Sequence, residues 1–265
     1  MSSGRAKENL SLLLKGQRPA QSEPCPMSEF PVALVSDWNG LAGQTIAMHL
    51  AQAGYHLLIN GPEEDIFALQ AQDIAGRILA IPFDSSNEES VQQVILAGLE
   101  YFGRLDVVVN NFYSWQDAAL QEITENLWGE MMQSNLKAAF HVCRAAALVM
   151  SEQEFGKIIN LTTTSCFTGS HLPFAATAAA LHSLTKSLAK ELAPHVRVNT
   201  IACGMLDEPW IDEGGPDLRQ MLQKGVPLGR LCRAGDIAEA VLYLANGADF
   251  MSGQMLVLDG GETMR

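Results

Sequence analysis

The sequence predicts an α/β fold, a single doubly wound parallel sheet. Three observations carry this. From Pro31 onward, short apolar runs alternate with helical patterns. Leu105 to Asn110 is apolar at nearly every position, as in a strand buried on both faces. The chain has 265 residues, 48% of them apolar, which suits one large core better than two independent ones.

The elements follow in order. Val32 to Ser36 reads as a buried strand, and Gln44 to Ala53 as a helix stopped at Gly54. His56 to Asn60 and Arg77 to Phe83 read as the second and third strands. Ser85-Ser86-Asn87-Glu88-Glu89 holds two overlapping capping-box patterns and opens a helix to about Phe102. After the strand ending at Asn110, one long helix is expected over Glu125 to Met150. Lys157 to Leu161 is a strand, Phe174 to Leu192 an Ala-rich helix ended by Pro194, and Val196 to Ile201 a strand. Asp236 to Ala245 and Gln254 to Leu258 close the pattern as helix and strand. Residues 1–28 mix Ser, Gly, Gln, Lys and Pro with little periodicity and read as a flexible tail, leaving 29–265 as the domain.

Lys and Arg total 17 against 30 Asp and Glu, a formal net charge of -13. That balance disfavours nucleic acid and anionic membranes as partners. No apolar run is long enough to span a bilayer. The five cysteines are scattered, with no zinc-ligand or redox spacing, which fits reduced thiols and a cytoplasmic setting.

Several segments, in order, resemble the short-chain dehydrogenase/reductase family. They are Phe83-Asp84-Ser85, Leu105 to Asn111, Asn135, Val196-Arg197-Val198-Asn199 before Cys203-Gly204, Pro227 to Arg230, and Ser252-Gly253-Gln254 before Asp259-Gly260-Gly261. The resemblance covers nearly all of 31–261 and implies a Rossmann-type domain. It implies an NAD(P) loop of the form T-G-x-x-x-G-x-G between the first strand and helix. It also implies a Tyr general acid/base, a Lys four residues later, a Ser or Thr hydroxyl and a mid-helix Asn.

Against that pattern the chain departs at most functional positions. The loop reads Ser36-Asp37-Trp38-Asn39-Gly40-Leu41-Ala42-Gly43, so Asp37 and Leu41 replace glycines while Gly43 is kept. A carboxylate 4 Å from a phosphate charge costs about 1 kcal/mol even in water. A one-residue realignment through Gly40 leaves some binding open, and Asp84 and Asn110 are possible remnants of the site. Asn60-Gly61-Pro62 offers neither an acid for a ribose nor an Arg for a 2′-phosphate, and Phe112-Tyr113 replace small residues. Aligned on Leu184 to Leu192, Phe174 falls at the Tyr and Ala178 at the Lys. Thr163 keeps a hydroxyl at the Ser position, with Thr162, Thr164 and Ser165 as alternatives, and Asn135 is retained. Among substitutes, Tyr113 is the tyrosine expected near the cleft, while His171 and His182 flank or lie on the helix from Phe174 to Leu192. Halohydrin dehalogenases share the fold with a lost glycine loop, but no Arg stands near Ala178.

The expected function is therefore a non-catalytic subunit. It would bind no cofactor of its own and pair with an active homologue that carries NAD(P), in a hetero-oligomer built as a dimer of dimers. The two-subunit hydroxybenzyl-succinyl-CoA dehydrogenase of anaerobic toluene degradation resembles this arrangement. The alternative is an active oxidoreductase with a rebuilt NAD(P) site and atypical catalytic residues. A ligand-sensing homomer is a third possibility.

Overall fold

In a computed structural model, residues 29–60, 76–116 and 118–264 are described. The expected tail, together with Gly61 and Pro62, lies outside them. Seven parallel strands form one sheet: β1 (Val32–Val35), β2 (His56–Ile59), β3 (Ile78–Ala80), β4 (Val107–Asn110), β5 (Gly156–Thr163), β6 (Val196–Cys203) and β7 (Met255–Leu258). Their order is β3-β2-β1-β4-β5-β6-β7. The chain leaves β1 toward one edge and returns at β4 to build toward the other. The β1/β4 junction is thus the switch point, where a crevice opens beyond the strands' C-terminal ends.

The helices cover both faces. On one, α1 (Leu41–Gln52) buries Ile46 and Leu50 against the sheet beside Ile237 and Val241 of α9 (Ala234–Asn246). On the other, α2 (Glu88–Phe102) contributes Val94 and Ile95, and α4 (Ala138–Glu152) contributes Val142 and Met150. Each such side chain removed from water contributes about 1.5–3 kcal/mol. Helix α2 begins where the capping pattern puts it: Asn87 accepts from the Ser90 amide at 3.1 Å, and Gly103 ends it at φ 76°.

Four features depart from the sequence expectation. The third strand is only three residues long, because Pro82 cannot donate to a ladder. The long helix is not continuous. It begins as α3 (Glu125–Met131), passes through a π-helical segment over Met132–Lys137, and resumes as α4. Three short helices, α5 (Ser165–Thr168), α7 (Pro209–Glu213) and α8 (Gly215–Lys224), follow strand ends where the sequence shows no long apolar period. The Ala-rich helix α6 (Leu172–Glu191) starts two residues early, with Pro173 in its first turn. Among the described residues, no helix is long and apolar enough to cross a membrane.

Candidate active site

A cavity of about 490 Å³ lies beyond the C-terminal ends of the central strands. Its walls come from the β1–α1 loop, the segment after β4, the end of β5, the start of α6 and the segment after β6. A second cavity, of about 650 Å³, lies toward β2 and β3, bounded by Asn60 and Asp84 to Ser86. Asp37, Phe112 and Tyr113 border both, so the two flank the switch point.

The β1–α1 loop is tight. Asp37 sits at φ 44°, a left-handed conformation uncommon for any residue but Gly, Asn or Asp. Its main-chain oxygen accepts from Asn111 Nδ2 at 3.0 Å. Burial raises the Asp37 carboxyl above the usual range. Gly43 packs directly on this turn: a Cβ there would come within 2.5 Å of the Asp37 oxygen. Gly40 has open space around it and begins α1 without a side-chain cap. The first-turn amides of Leu41, Ala42 and Gly43 therefore have no acceptor within the helix, and Leu41 and Ala42 line the cavity. Leu41 is half-exposed on the cavity wall. Trp38 fills the space beneath the loop, fully buried.

Ser36 and Asn110 serve the framework. Ser36 Oγ accepts from the Asn111 amide at 2.9 Å and donates to the Val109 carbonyl at 3.3 Å. Asn110 Nδ2 donates to Asn160 Oδ1 at 2.8 Å, Asn160 Nδ2 to Thr185 Oγ1 at 2.8 Å, and Thr200 Oγ1 to Thr185 Oγ1 at 2.9 Å. This buried polar chain ties β4, β5, β6 and α6 together. Asp84 is exposed, and its hydrogen bonds from the Ser86 hydroxyl and amide hold its carboxyl below the usual range.

Phe174 and Ala178 are both buried, one turn apart on α6. Phe174 meets Tyr113 edge to face, with ring centroids 5.2 Å apart at 84°. Tyr113 borders both cavities and is 56% exposed. Partial desolvation there raises its phenol, with the Glu208 charge and Cys203 adding. Thr163 ends β5. Its Oγ1 accepts from the Ser165 amide at 3.2 Å and lies 3.1 Å from Ser165 Oγ, so the two hydroxyls form a pair on the cavity wall.

Asn135 lies within the π-helical segment. Its Oδ1 accepts from the Ser114 amide at 2.7 Å, and its Nδ2 donates to the Ser114 carbonyl at 2.8 Å. It pins the loop that carries Tyr113 and Trp115. Two further cavity features were not legible in sequence. Trp210, at the start of α7, faces Trp115 with centroids 6.5 Å apart at 19°. Cys203 lines the cavity, and Cys232, 29 positions later in the chain, lies near enough to interact with it, the pairing raising Cys203 and lowering Cys232. No group of three or more His, Cys, Asp or Glu able to hold a metal occurs among the described residues.

This doubly wound sheet and its crevice define a Rossmann-type class of protein, and comparison with known proteins makes it particular. Residues 39–263 match the family model described as enoyl-(acyl carrier protein) reductase. The chain belongs to that family, within the short-chain dehydrogenases/reductases. It is 32% identical over 240 residues to a 3-oxoacyl-[acyl-carrier-protein] reductase FabG of Staphylococcus aureus, covering 88% of this chain and 98% of the relative. It is 30% identical to a granaticin polyketide synthase putative ketoacyl reductase 2 of Streptomyces violaceoruber, covering 88% and 96%. Among solved structures, ElxO with NADP bound superposes with a TM-score of 0.84 at 24% identity, over 89% of this chain and all of that one. A tyrosine-to-phenylalanine variant of ElxO with NADPH bound gives 0.84 at 25%, with the same coverage.

These findings correct the expectation of a non-catalytic subunit. Relatives matched along almost their entire length are named as reductases, and the family model is that of an enzyme. The expectation rested on Phe174 and Ala178 in place of Tyr and Lys and on Asp37 and Leu41 in the cofactor loop. Tyr113 and the Thr163–Ser165 pair nonetheless line one cavity.

Proposed function

We propose that the chain is a nicotinamide-dependent carbonyl reductase with a rebuilt active site, in which Tyr113 takes the place of the missing tyrosine as proton donor. One observation carries this: the Tyr113 phenol stands at the junction of the two cavities, packed on the Phe174 ring. Thr163 and Ser165 line the same cavity and are the groups to polarise a substrate carbonyl.

The residues suit the cofactor in part. The open N-terminus of α1 and the space around Gly40 suit a diphosphate, and the Asn60/Asp84–Ser86 cavity suits an adenosine. Asp37 works against the diphosphate when ionised, and Ala178 offers no ammonium for a ribose. When bound, the reduced nicotinamide supplies the hydride. A tyrosine-to-phenylalanine variant of ElxO keeps NADPH in its solved structure, which supports a phenylalanine being compatible with binding in this fold.

The phenol is protonated at pH 7, the form that can deliver a proton to the oxygen of a carbonyl as hydride is added. Association through the outer face, with a second copy or an intact homologue, belongs to this proposal. An apolar groove lined by Leu136, Phe140, Ala180 and Leu184 supports it.

The test is oxidation of NADPH and NADH by the purified full chain with a panel of aryl and 3-oxo ketones. Turnover abolished by Tyr113→Phe, with NADPH binding retained by calorimetry, is the expected result. No turnover with either cofactor, or turnover indifferent to Tyr113→Phe, overturns the reading.

A further inference from the structure

Resting on that reading, we infer that the substrate is an uncharged ketone bearing a planar aromatic ring, and that the ring packs on the wall formed by Trp115 and Trp210.

The geometry is that of an aromatic wall. The two indoles are near-parallel, 19° apart, with centroids separated by 6.5 Å. That lies within the roughly 4.5–7 Å range of paired rings, so the two stack on each other and present one continuous apolar surface. Each indole is held by a different partner. Trp115 meets the His171 ring edge-on at 5.4 Å and 76°. Trp210 Nε1 donates to Glu208 Oε2 at 2.8 Å. Both rings remain about 40% exposed, 40% for Trp115 and 39% for Trp210, so neither is filling core. Both line the cavity that contains Tyr113, Thr163 and Ser165, so a ring on this wall and a carbonyl at Tyr113 occupy one continuous space.

Charge selects further. Asp37, Glu208 and Glu262 line the cavity, and no Lys or Arg does among the described residues. A substrate carboxylate beside Trp210 would meet the Glu208 carboxylate and no Lys or Arg among the described lining residues. The remaining wall is apolar: Leu161, Met205, Leu206 and Leu222. A neutral, flat, conjugated substituent meets every one of these conditions.

The experiment is calorimetric titration of the full chain, without and then with NADP, using acetophenone, its saturated counterpart cyclohexyl methyl ketone, and 4-acetylbenzoate. Acetophenone is expected to bind about 10-fold tighter than either of the others. Trp115→Ala and Trp210→Ala should each erase that preference, and Trp210→Phe should restore most of it. Unchanged melting temperatures check that the variants remain folded. Equal binding of the aromatic and saturated ketones, preference surviving both Ala variants, tighter binding of the carboxylate, or no ketone binding overturns the inference. Aromatic preference without NADPH consumption sustains the aromatic wall and sinks the catalytic reading. Turnover without aromatic preference does the reverse.

Discussion

At the residue scale, Tyr113 and Asp37 decide most of the chemistry. Tyr113→Phe keeps the ring that packs on Phe174 and removes only the proton donor. A loss of about 10²- to 10⁴-fold in kcat is expected, with little change in melting temperature. Asp37 gives a pH dependence. Its folded-state pKa is raised, so the folded protein favours the neutral acid. Stability from this group is present below about pH 4, where both states are protonated, and is lost as pH rises through the folded pKa. NADPH affinity should therefore strengthen as pH falls toward that pKa. Asp37→Asn should flatten the affinity profile and raise the melting temperature at pH 7. A steeper profile in the Asn variant would refute this. These roles were only partly legible in the sequence. The motif gave Asp37 its position and named Tyr113 as the tyrosine nearest the cleft. It could not show Tyr113 and Phe174, 61 positions apart, in edge-to-face contact. The Trp115–Trp210 pair is wholly tertiary: neither neighbourhood carries a periodic signal linking 115 to 210.

At the element scale, the π-helical segment is the feature to test. It places Asn135 where both its amide atoms reach the Ser114 backbone. Substitution by Leu leaves a main-chain donor and acceptor unpaired and should cost about 1–3 kcal/mol in chemical denaturation. It should also loosen the loop bearing Tyr113 and lower kcat more than it raises KM. Strand and helix order was readable because β1, β4 and the Ala-rich helix have strong periods. The interruption at Met132–Lys137 was not, since Met, Gln, Ser, Asn, Leu and Lys all fit an ordinary α-helix and only a register change toward the Ser114 loop selects the wider turn. The short α7 and α8 escaped for a related reason. They begin at Pro209 and Gly215, with Glu and Gly as their N-caps and no side-chain cap bond to announce them.

At the scale of the molecule, one face and one interior matter. The groove beside Phe140 and Leu184 exposes apolar surface on α4 and α6. Phe140→Glu should shift the chain to smaller species in size-exclusion chromatography while leaving the sheet's thermal transition in place. An unchanged elution position would place association elsewhere. The interior has a practical consequence. The one lysine in the central sheet, Lys157, is buried, with its ammonium donating to the Ala245 and Gly247 carbonyls and paired with Asp249. The cavity wall carries no amine at all among the described residues. Amine-directed chemistry, whether a fluorophore ester or a carboxymethyl sensor chip, will thus react on the outside of the protein and leave the ligand chamber unmodified, so captured protein should report small-molecule binding faithfully.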